Sequence, residues 1–316
     1  MPSLLVGLFL LNLCMGNKLI VIVGPTGVGK TAAAIAVAKR LGCSVVSADS
    51  RQMFREMTIG TAVPSAEEMD GVPHYFIQDR SVADYYSAGK YELDALALLD
   101  ELFKQSPVQV LTGGSMMYVD AVLKGFDDIP RISPETRQRV LDMLDEGGLD
   151  AVVDELRRLD PDSLERIDLK NRQRVVHALE VTLQGNVPYS KLLGKKVAER
   201  NFDFIKIGLN LPRDILYQRI NDRVDVMMSA GLLDEARSLL PMRQLNALNT
   251  VGYKELFNYF DGLWTLDFAV GMIKQDSRRY AKRQLTWFKS DESVEWFAPD
   301  DLDGILSCVD KFIKKN

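Results

Sequence analysis

The sequence predicts an α/β fold: a doubly wound parallel sheet with an all-helical segment inserted into it. Three observations predict this. Short apolar runs alternate with helical stretches from residue 17 to about 128, the pattern of successive strand–helix–strand units. From Ser133 to about Gln184 the pattern is helical throughout. An apolar run then returns at Phe204–Leu209, with further helix behind it.

The first element is Lys18–Val23, a strand whose last five residues are all apolar. Gly24-Pro25-Thr26-Gly27-Val28-Gly29-Lys30-Thr31 follows it and opens an alanine-rich helix that runs to Leu41. Strand, glycine-rich loop, helix is the context in which G-x-x-x-x-G-K-[ST] cradles phosphate. The glycines let backbone N–H groups turn toward one point, and the helix N-terminus adds its positive dipole end. Lys30 supplies a mobile point charge, and the Thr31 hydroxyl is placed to ligate Mg²⁺. A phosphate or diphosphate is therefore expected on Gly24, Thr26, Gly27, Val28, Gly29, Lys30 and Thr31.

Ser44–Ala48 is the second strand and ends at Asp49. Tyr85–Lys104 reads as helix, and Val108–Leu111 as a strand ending in Thr112-Gly113-Gly114-Ser115. Ligands of a doubly wound sheet sit at the carboxyl ends of its strands. The phosphate loop (P-loop), Asp49–Gln52 and Thr112–Ser115 are thus expected to meet in one cleft. Ser133-Pro134-Glu135 starts the helical segment, Gly147-Gly148 breaks it, and Pro161 stands just inside another helix start. Leu211-Pro212-Arg213-Asp214 opens a long helix, and the chain reads as helical from there to near Trp296. The P-loop sheet is therefore assigned to residues 17–129 and 201–316, and a helical insertion domain to 130–200.

Composition narrows the function classes. The chain has 316 residues, 47% hydrophobic and 26% charged, as expected of a globular protein with a sizeable core. Its net charge of −5 confines any nucleic-acid surface to a local patch. Three dispersed cysteines and two histidines argue against a structural zinc site and fit a reduced, cytoplasmic setting. Leu4–Leu13 is apolar, but no Lys or Arg precedes it and no small-x-small cleavage site follows. It is too short to span a bilayer comfortably, so no membrane role is expected. Residues 1–16 read as a leader outside the native fold, with Met15 as the initiator. Two stretches are basic: Glu165–Arg200 carries eight Lys/Arg against four Asp/Glu, and Lys274–Lys289 six against one. In the second, Arg278, Arg279, Lys282 and Arg283 alternate with Tyr280, Trp287 and Phe288, a mixture suited to nucleic-acid backbone and exposed bases. A solvated helix face is the competing reading.

Asp49 lies 19 residues after Lys30, at the tip of the second strand. A carboxylate facing the phosphate site can take a proton from an acceptor. It can also cap local backbone N–H groups. The strand ending in Thr112-Gly113-Gly114 carries no second acid, which disfavours an NTP-hydrolysing motor or a kinase and favours a small-molecule transferase.

At these residues the chain resembles tRNA dimethylallyltransferases. The resemblance rests on Gly24-Pro25-Thr26, Gly29-Lys30-Thr31, Ser47–Gln52, Ile59-Gly60-Thr61-Ala62-x-Pro64 and Gly71-Val72-Pro73-His74. Gly113-Gly114-Ser115-x-x-Tyr118, Gln173-Arg174-x-x-x-Ala178-Leu179-Glu180, Val251-Gly252-Tyr253-Lys254 and Ala281-Lys282-Arg283-Gln284-x-Thr286-Trp287 follow in the family's order, over residues 18 to 290. It implies transfer of the dimethylallyl group of dimethylallyl diphosphate to N6 of the adenosine just 3′ of the tRNA anticodon. The P-loop would hold the diphosphate with Mg²⁺, Asp49 would be general base, and Ser115 would hydrogen-bond near the reacting groups together with Lys30. Asp49, Ser50, Arg51 and Gln52, then Gln173, Arg174, Val175, Val176 and His177, then Asn249, Thr250, Val251, Gly252, Tyr253 and Lys254 would contact tRNA. The insertion would clamp the anticodon stem-loop of a tRNA bound to a monomer. Phe54, Val63 and Asn249 depart from the family's usual Tyr, Lys, and Arg or Gln, and no C-terminal zinc finger is present. An adenylate isopentenyltransferase acting on free nucleotide, or a non-catalytic P-loop protein that binds tRNA, remain as alternatives.

Overall fold

The computed structural model describes residues 16–125, 129–130, 132–194 and 198–315. The expected leader lies outside the described residues. By compactness the chain divides into two units, one of residues 1–123 with 200–316 and one of 124–199.

The first unit is built on a parallel sheet of six strands: β1 (Asn17–Val23), β2 (Val45–Ser47), β3 (His74–Tyr75), β4 (Val108–Gly113), β5 (Phe202–Leu209) and β6 (Val294–Phe297). Their order across the sheet is β3-β2-β4-β1-β5-β6. In β1, Leu19, Val21 and Val23 pack into one apolar layer, and Ile20 and Ile22 into the other. Side chains of a strand alternate between faces, so a strand covered on both sides must be apolar at every position. This is why β1 reads as a continuous hydrophobic run.

Helices cover both faces. Lys30–Leu41 (α1) follows the P-loop, and its Ala33, Ala34, Val37 and Ala38 pack on the Ile20 face. Ala66–Met69 (α2) is a single turn closed by a Ser65–Glu68 capping box. Ala88–Phe103 (α3) starts at its Ser87 cap, three residues later than the sequence suggested, and buries Tyr91, Ala95 and Leu99 on the opposite face. Met116–Lys124 (α4) follows β4. In the second unit, Pro134–Leu159 (α5), Pro161–Leu164 (α6), Arg172–Gly185 (α7) and Tyr189–Leu192 (α8) enclose their own core around Val140, Val152, Leu156 and Leu179. The helical path is interrupted at Gly148, whose φ of 71° lies outside the helical range, at the expected break. Asp160 ties this bundle together: its carboxylate accepts from the hydroxyls of Ser163 and Ser190 and from the Ser190 N–H.

The first unit resumes with Arg213–Ser229 (α9), Leu232–Leu239 (α10), Tyr253–Phe260 (α11), Leu266–Lys289 (α12) and Leu302–Lys314 (α13). Two strands escaped the sequence. β3 has only two residues, too few for a pattern to register. β6, assigned above to helix, holds Trp296 and pairs with β5 from Lys206↔Val294 to Leu209↔Phe297. Pairing with a neighbour overrides the local preference of a four-residue segment.

Register sets the site. Val23 pairs with both Gly113 of β4 and Gly208 of β5, and Ser47 of β2 pairs with Thr112. The P-loop, Asp49 and Gly114-Ser115 therefore leave the sheet at one level and at one edge.

Candidate active site

The P-loop conformation requires its glycines. Gly24, Gly27 and Gly29 have φ of 149°, 79° and 109°, which L side chains rarely adopt. The loop carries its N–H groups to the start of α1, where Lys30 Nζ donates to the Pro25 carbonyl at 2.8 Å. Burial lowers the Lys30 pKa to about 8; the Asp49 charge opposes that shift and the Arg223 charge adds to it.

The expected convergence is observed. A cavity of about 390 Å³ is lined by P-loop residues including Thr26, Lys30 and Thr31, by Asp49 and Gln52, and by Thr112 and Gly113. A second cavity, of about 360 Å³, is lined among others by Ser50, Arg51, Ser115, Asn249, Lys254 and Tyr280. Thr26, Asp49, Thr61 and Arg223 line both. They form a waist between the chamber on the P-loop and a chamber walled by polar groups, by Tyr280 and by aliphatic side chains such as Ile220, Val224 and Met227.

The capping reading of Asp49 is observed. Its Oδ1 caps the loop, accepting from Arg51 N at 2.9 Å and Gln52 N at 3.3 Å. Among the described residues, no hydrogen bond occupies Oδ2, so one oxygen fixes the carboxylate while the other stays available to a ligand. Ser115 Oγ accepts from Ser50 N at 2.9 Å and lies 3.1 Å from Ser50 Oγ, joining the ends of β2 and β4. Tyr280 faces this second chamber; burial, reinforced by the Asp49 charge, pushes its phenol up to about 12, so it is a neutral hydroxyl at physiological pH.

Other predicted residues fall in different places. Val28 is fully buried, leaving only its backbone to meet a phosphate. Asn249, Thr250, Val251, Gly252 and Lys254 line the second cavity. Tyr253 does not present its side chain there: it is 0% exposed, and its hydroxyl donates to Glu235 at 2.7 Å. Gln173, Arg174, Val175, Val176 and His177 all lie on α7 of the second unit. Gln173, Arg174 and His177 are exposed, with the His177 ring edge-on to Tyr189 at 5.8 Å. Val175 is 0% exposed and belongs to that unit's core, because one residue in each helical turn must face inward. Phe54 is buried in the core, so its departure from tyrosine is a packing matter.

The basic segment on α12 is not one surface. Arg283 lines the second cavity, Arg278 Nη1 contacts Asn221 Oδ1 at 2.5 Å, and Arg279 pairs with Asp276 at 2.9 Å. Lys282 lines a separate groove with Arg213 and Lys289. Trp287 is 43% exposed and donates to Asp120, whereas Phe288 is buried and cannot meet a base.

Three site residues were not among the predicted contacts, although Gln284 stands in a motif that carries the resemblance. Arg223 Nη2 donates to Thr26 Oγ1 at 2.8 Å, and burial lowers its pKa against the pull of Asp49. Gln284 accepts from Thr26 N at 2.8 Å and donates to the Gly114 carbonyl at 2.7 Å, bridging P-loop and β4. Arg219 lines the phosphate chamber with Asp222. The described residues contain no cluster of three His, Cys, Asp or Glu able to hold a metal, and no helix long and apolar enough to cross a membrane.

The family profile described as IPP transferase matches residues 52–291. The tRNA dimethylallyltransferase 1 of Phocaeicola vulgatus is 50% identical over 295 residues, covering 93% of this chain and 98% of the relative. That of Bacteroides thetaiotaomicron is 52% identical over 288 residues, covering 91% and 94%. Among solved structures, the full-length tRNA isopentenylpyrophosphate transferase of Bacillus halodurans superposes with a TM-score of 0.69 at 39% identity, covering 94% of this chain and 95% of that one. A eukaryotic dimethylallyltransferase acting on tRNA shares the fold, with a TM-score of 0.81 at 23% identity over 95% of this chain and 80% of that one.

Proposed function

The chain belongs to the IPP transferase family, and from that premise we propose that it is a tRNA dimethylallyltransferase whose two chambers divide the reaction between donor and acceptor. The enzyme transfers the dimethylallyl group of dimethylallyl diphosphate to N6 of the adenosine 3′-adjacent to the anticodon and releases diphosphate. The observation that carries the assignment of roles is the waist, where Asp49 lines the phosphate chamber and the second chamber together.

In this reading the donor's diphosphate lies on the P-loop N–H groups with Lys30, Arg223 and Arg219 around it. The dimethylallyl carbon faces the waist. The adenine enters the second chamber, which requires it to leave its stack in the anticodon loop. Its N6 attacks the allylic carbon as the carbon–oxygen bond breaks. The electron pair of that bond goes to the diphosphate, whose growing charge the lysine, the arginines and the helix dipole stabilise. The N6 proton passes to Asp49, whose Oδ1 is anchored and whose Oδ2 accepts no protein donor among the described residues. Ser115 and Tyr280 are neutral hydroxyls able to hydrogen-bond the base.

Mg²⁺ fits this site through few protein ligands: Thr31, which lines the phosphate chamber, and the diphosphate oxygens would hold it, as Mg²⁺ commonly prefers, and it would neutralise leaving-group charge. The exposed Gln173, Arg174 and His177 of α7, with Arg51, Asn249, Lys254 and Arg283, are the proposed tRNA contacts.

The test is label transfer. Dimethylallyl diphosphate radiolabelled in the alkyl group is incubated with protein, Mg²⁺ and either total tRNA or AMP. Label in tRNA alone is expected. Label in AMP would move the assignment to nucleotide prenylation, and label in neither would remove the catalytic reading.

A further inference from the structure

One carboxylate outside both chambers collects four donors. Glu235, on α10, accepts from Thr58 N at 2.9 Å and Ile59 N at 2.7 Å through Oε2. Its Oε1 accepts from Gly60 N at 2.9 Å and from the Tyr253 hydroxyl at 2.7 Å. Three successive N–H groups aimed at one point form a backbone nest for an anion, and here the anion is internal. Tyr253 closes the arrangement: a Cβ added to Gly60 would stand 2.6 Å from its hydroxyl, so only glycine admits the ring.

The segment gripped this way leads directly into the waist. Thr61, the next residue, lines both chambers, and Ala62 lines the phosphate chamber. From the chamber side, Gln52 Nε2 donates to the Thr61 carbonyl at 3.1 Å and the Ala62 carbonyl at 2.8 Å. Gln52 is itself placed by Asp49, which accepts its N–H. The turn itself lies in no strand or helix. Within it Ala62 N donates to the Ile59 carbonyl at 3.0 Å, Val63 N to the Thr58 carbonyl at 3.1 Å and the Thr61 hydroxyl to the Met57 carbonyl. From outside it is pinned by Gln52 on the chamber side and by Glu235 of α10 behind.

We propose that Glu235 is a positioning residue for transfer: through the Thr58–Gly60 amides and Tyr253 it fixes Thr61 at the waist, and so sets how acceptor and donor carbon approach each other. This rests on the reading of the waist as the reaction point. Thr26 and Lys30 of the P-loop bond to Gln284, Arg223 and Pro25 and not to Glu235 or its turn, so diphosphate affinity should change far less than the rate. A displacement of about 1 Å at a reacting centre costs on the order of 100-fold in rate.

The test compares Glu235→Gln, Glu235→Asp and Tyr253→Phe with the parent protein. In the glutamine variant an amide NH₂ replaces one acceptor oxygen and opposes the backbone donors. Transfer measured in a single turnover at saturating donor and tRNA should fall about 10- to 100-fold in Glu235→Gln, with diphosphate affinity and binding stoichiometry within about two-fold of the parent. Glu235→Asp keeps the charge and should recover part of the rate. Tyr253→Phe removes one donor of four and should lose about three- to ten-fold, which gives a reading even if Glu235→Gln does not fold. Faster hydrogen exchange at the Thr58, Ile59 and Gly60 amides should accompany each loss. Equal losses of rate, diphosphate affinity and binding stoichiometry would reduce Glu235 to a structural residue, as would an unchanged rate in Tyr253→Phe with unchanged exchange. Absence of transfer in the parent protein would instead overturn the proposed function, and the exchange measurement would still judge the clamp.

Discussion

The two chambers that meet at Asp49 are built in opposite ways. The phosphate chamber is organised around one contiguous octapeptide, fixed by three glycines in conformations other residues avoid, with Asp49, Thr112, Arg219 and Arg223 among the residues that complete its wall. The second chamber is assembled from separate segments: Arg51 after β2, Ser115 after β4, Ile220 and Val224 on α9, Asn249–Gly252 and Lys254 before and into α11, and Tyr280 and Arg283 on α12. A diphosphate presents the same oxygens in every molecule that carries it, so a backbone cradle serves. A nucleobase must be distinguished by its edges, and that takes individually placed side chains.

The sharpest way to break this contrast is at the waist. Asp49→Asn keeps the cap to Arg51 and Gln52 but removes the proton acceptor, so turnover should fall about 10²- to 10⁴-fold with donor affinity retained. A variant that loses stability but keeps its rate would leave Asp49 a cap alone. On the phosphate side, Lys30→Ala should lower the transfer rate about 100-fold or more while tRNA affinity stays. Loss of tRNA affinity in that variant would show the chambers to be less separate than their linings indicate.

Gln284 tests the wall between them. Its amide satisfies a P-loop N–H and the Gly114 carbonyl. Gln284→Leu strands both and should cost about 1–3 kcal/mol in denaturant unfolding. A neutral outcome would mean that water replaces the amide.

Acidity should affect the chambers differently. Diphosphate favours protonated Lys30, whose pKa burial has lowered to about 8 in the free protein. Diphosphate affinity should therefore be flat below pH 8 and weaken above it, approaching ten-fold per unit, as calorimetric titration would show. A flat profile through pH 9.5 would mean that Lys30 keeps an ordinary pKa. The smallest effect belongs to the basic helix. Arg283→Ala should lower the salt slope of tRNA binding by about 0.7–0.9, whereas Arg279→Ala, paired with Asp276, should barely change it. Equal effects would restore the segment as one continuous surface.

The sequence by itself determined four of the sheet's six strands, the P-loop and the edge at which ligands gather. Each follows from contiguous residues: β1 is apolar from Leu19 to Val23, the glycines of the octapeptide dictate their own dihedrals, and strand ends in a parallel sheet share an edge. The helical stretch after Ser133 was legible for the same reason, since helix periodicity and caps are local. Only the tertiary structure decided which single residues complete the site. Arg223 meets Thr26 across 197 positions and Gln284 meets it across 258. In sequence Arg223 is one more polar residue on a helix, and Gln284 stands in a motif that does not say what it touches. Tyr253 and Val175 went the other way, into cores, because the face a helix buries is chosen by what packs against it. Glu235 became a clamp because a turn 175 residues away offers it three N–H groups. Local dihedral preference and periodicity are written along the chain, whereas hydrogen bonds between distant segments exist only once the sheet has brought those segments together.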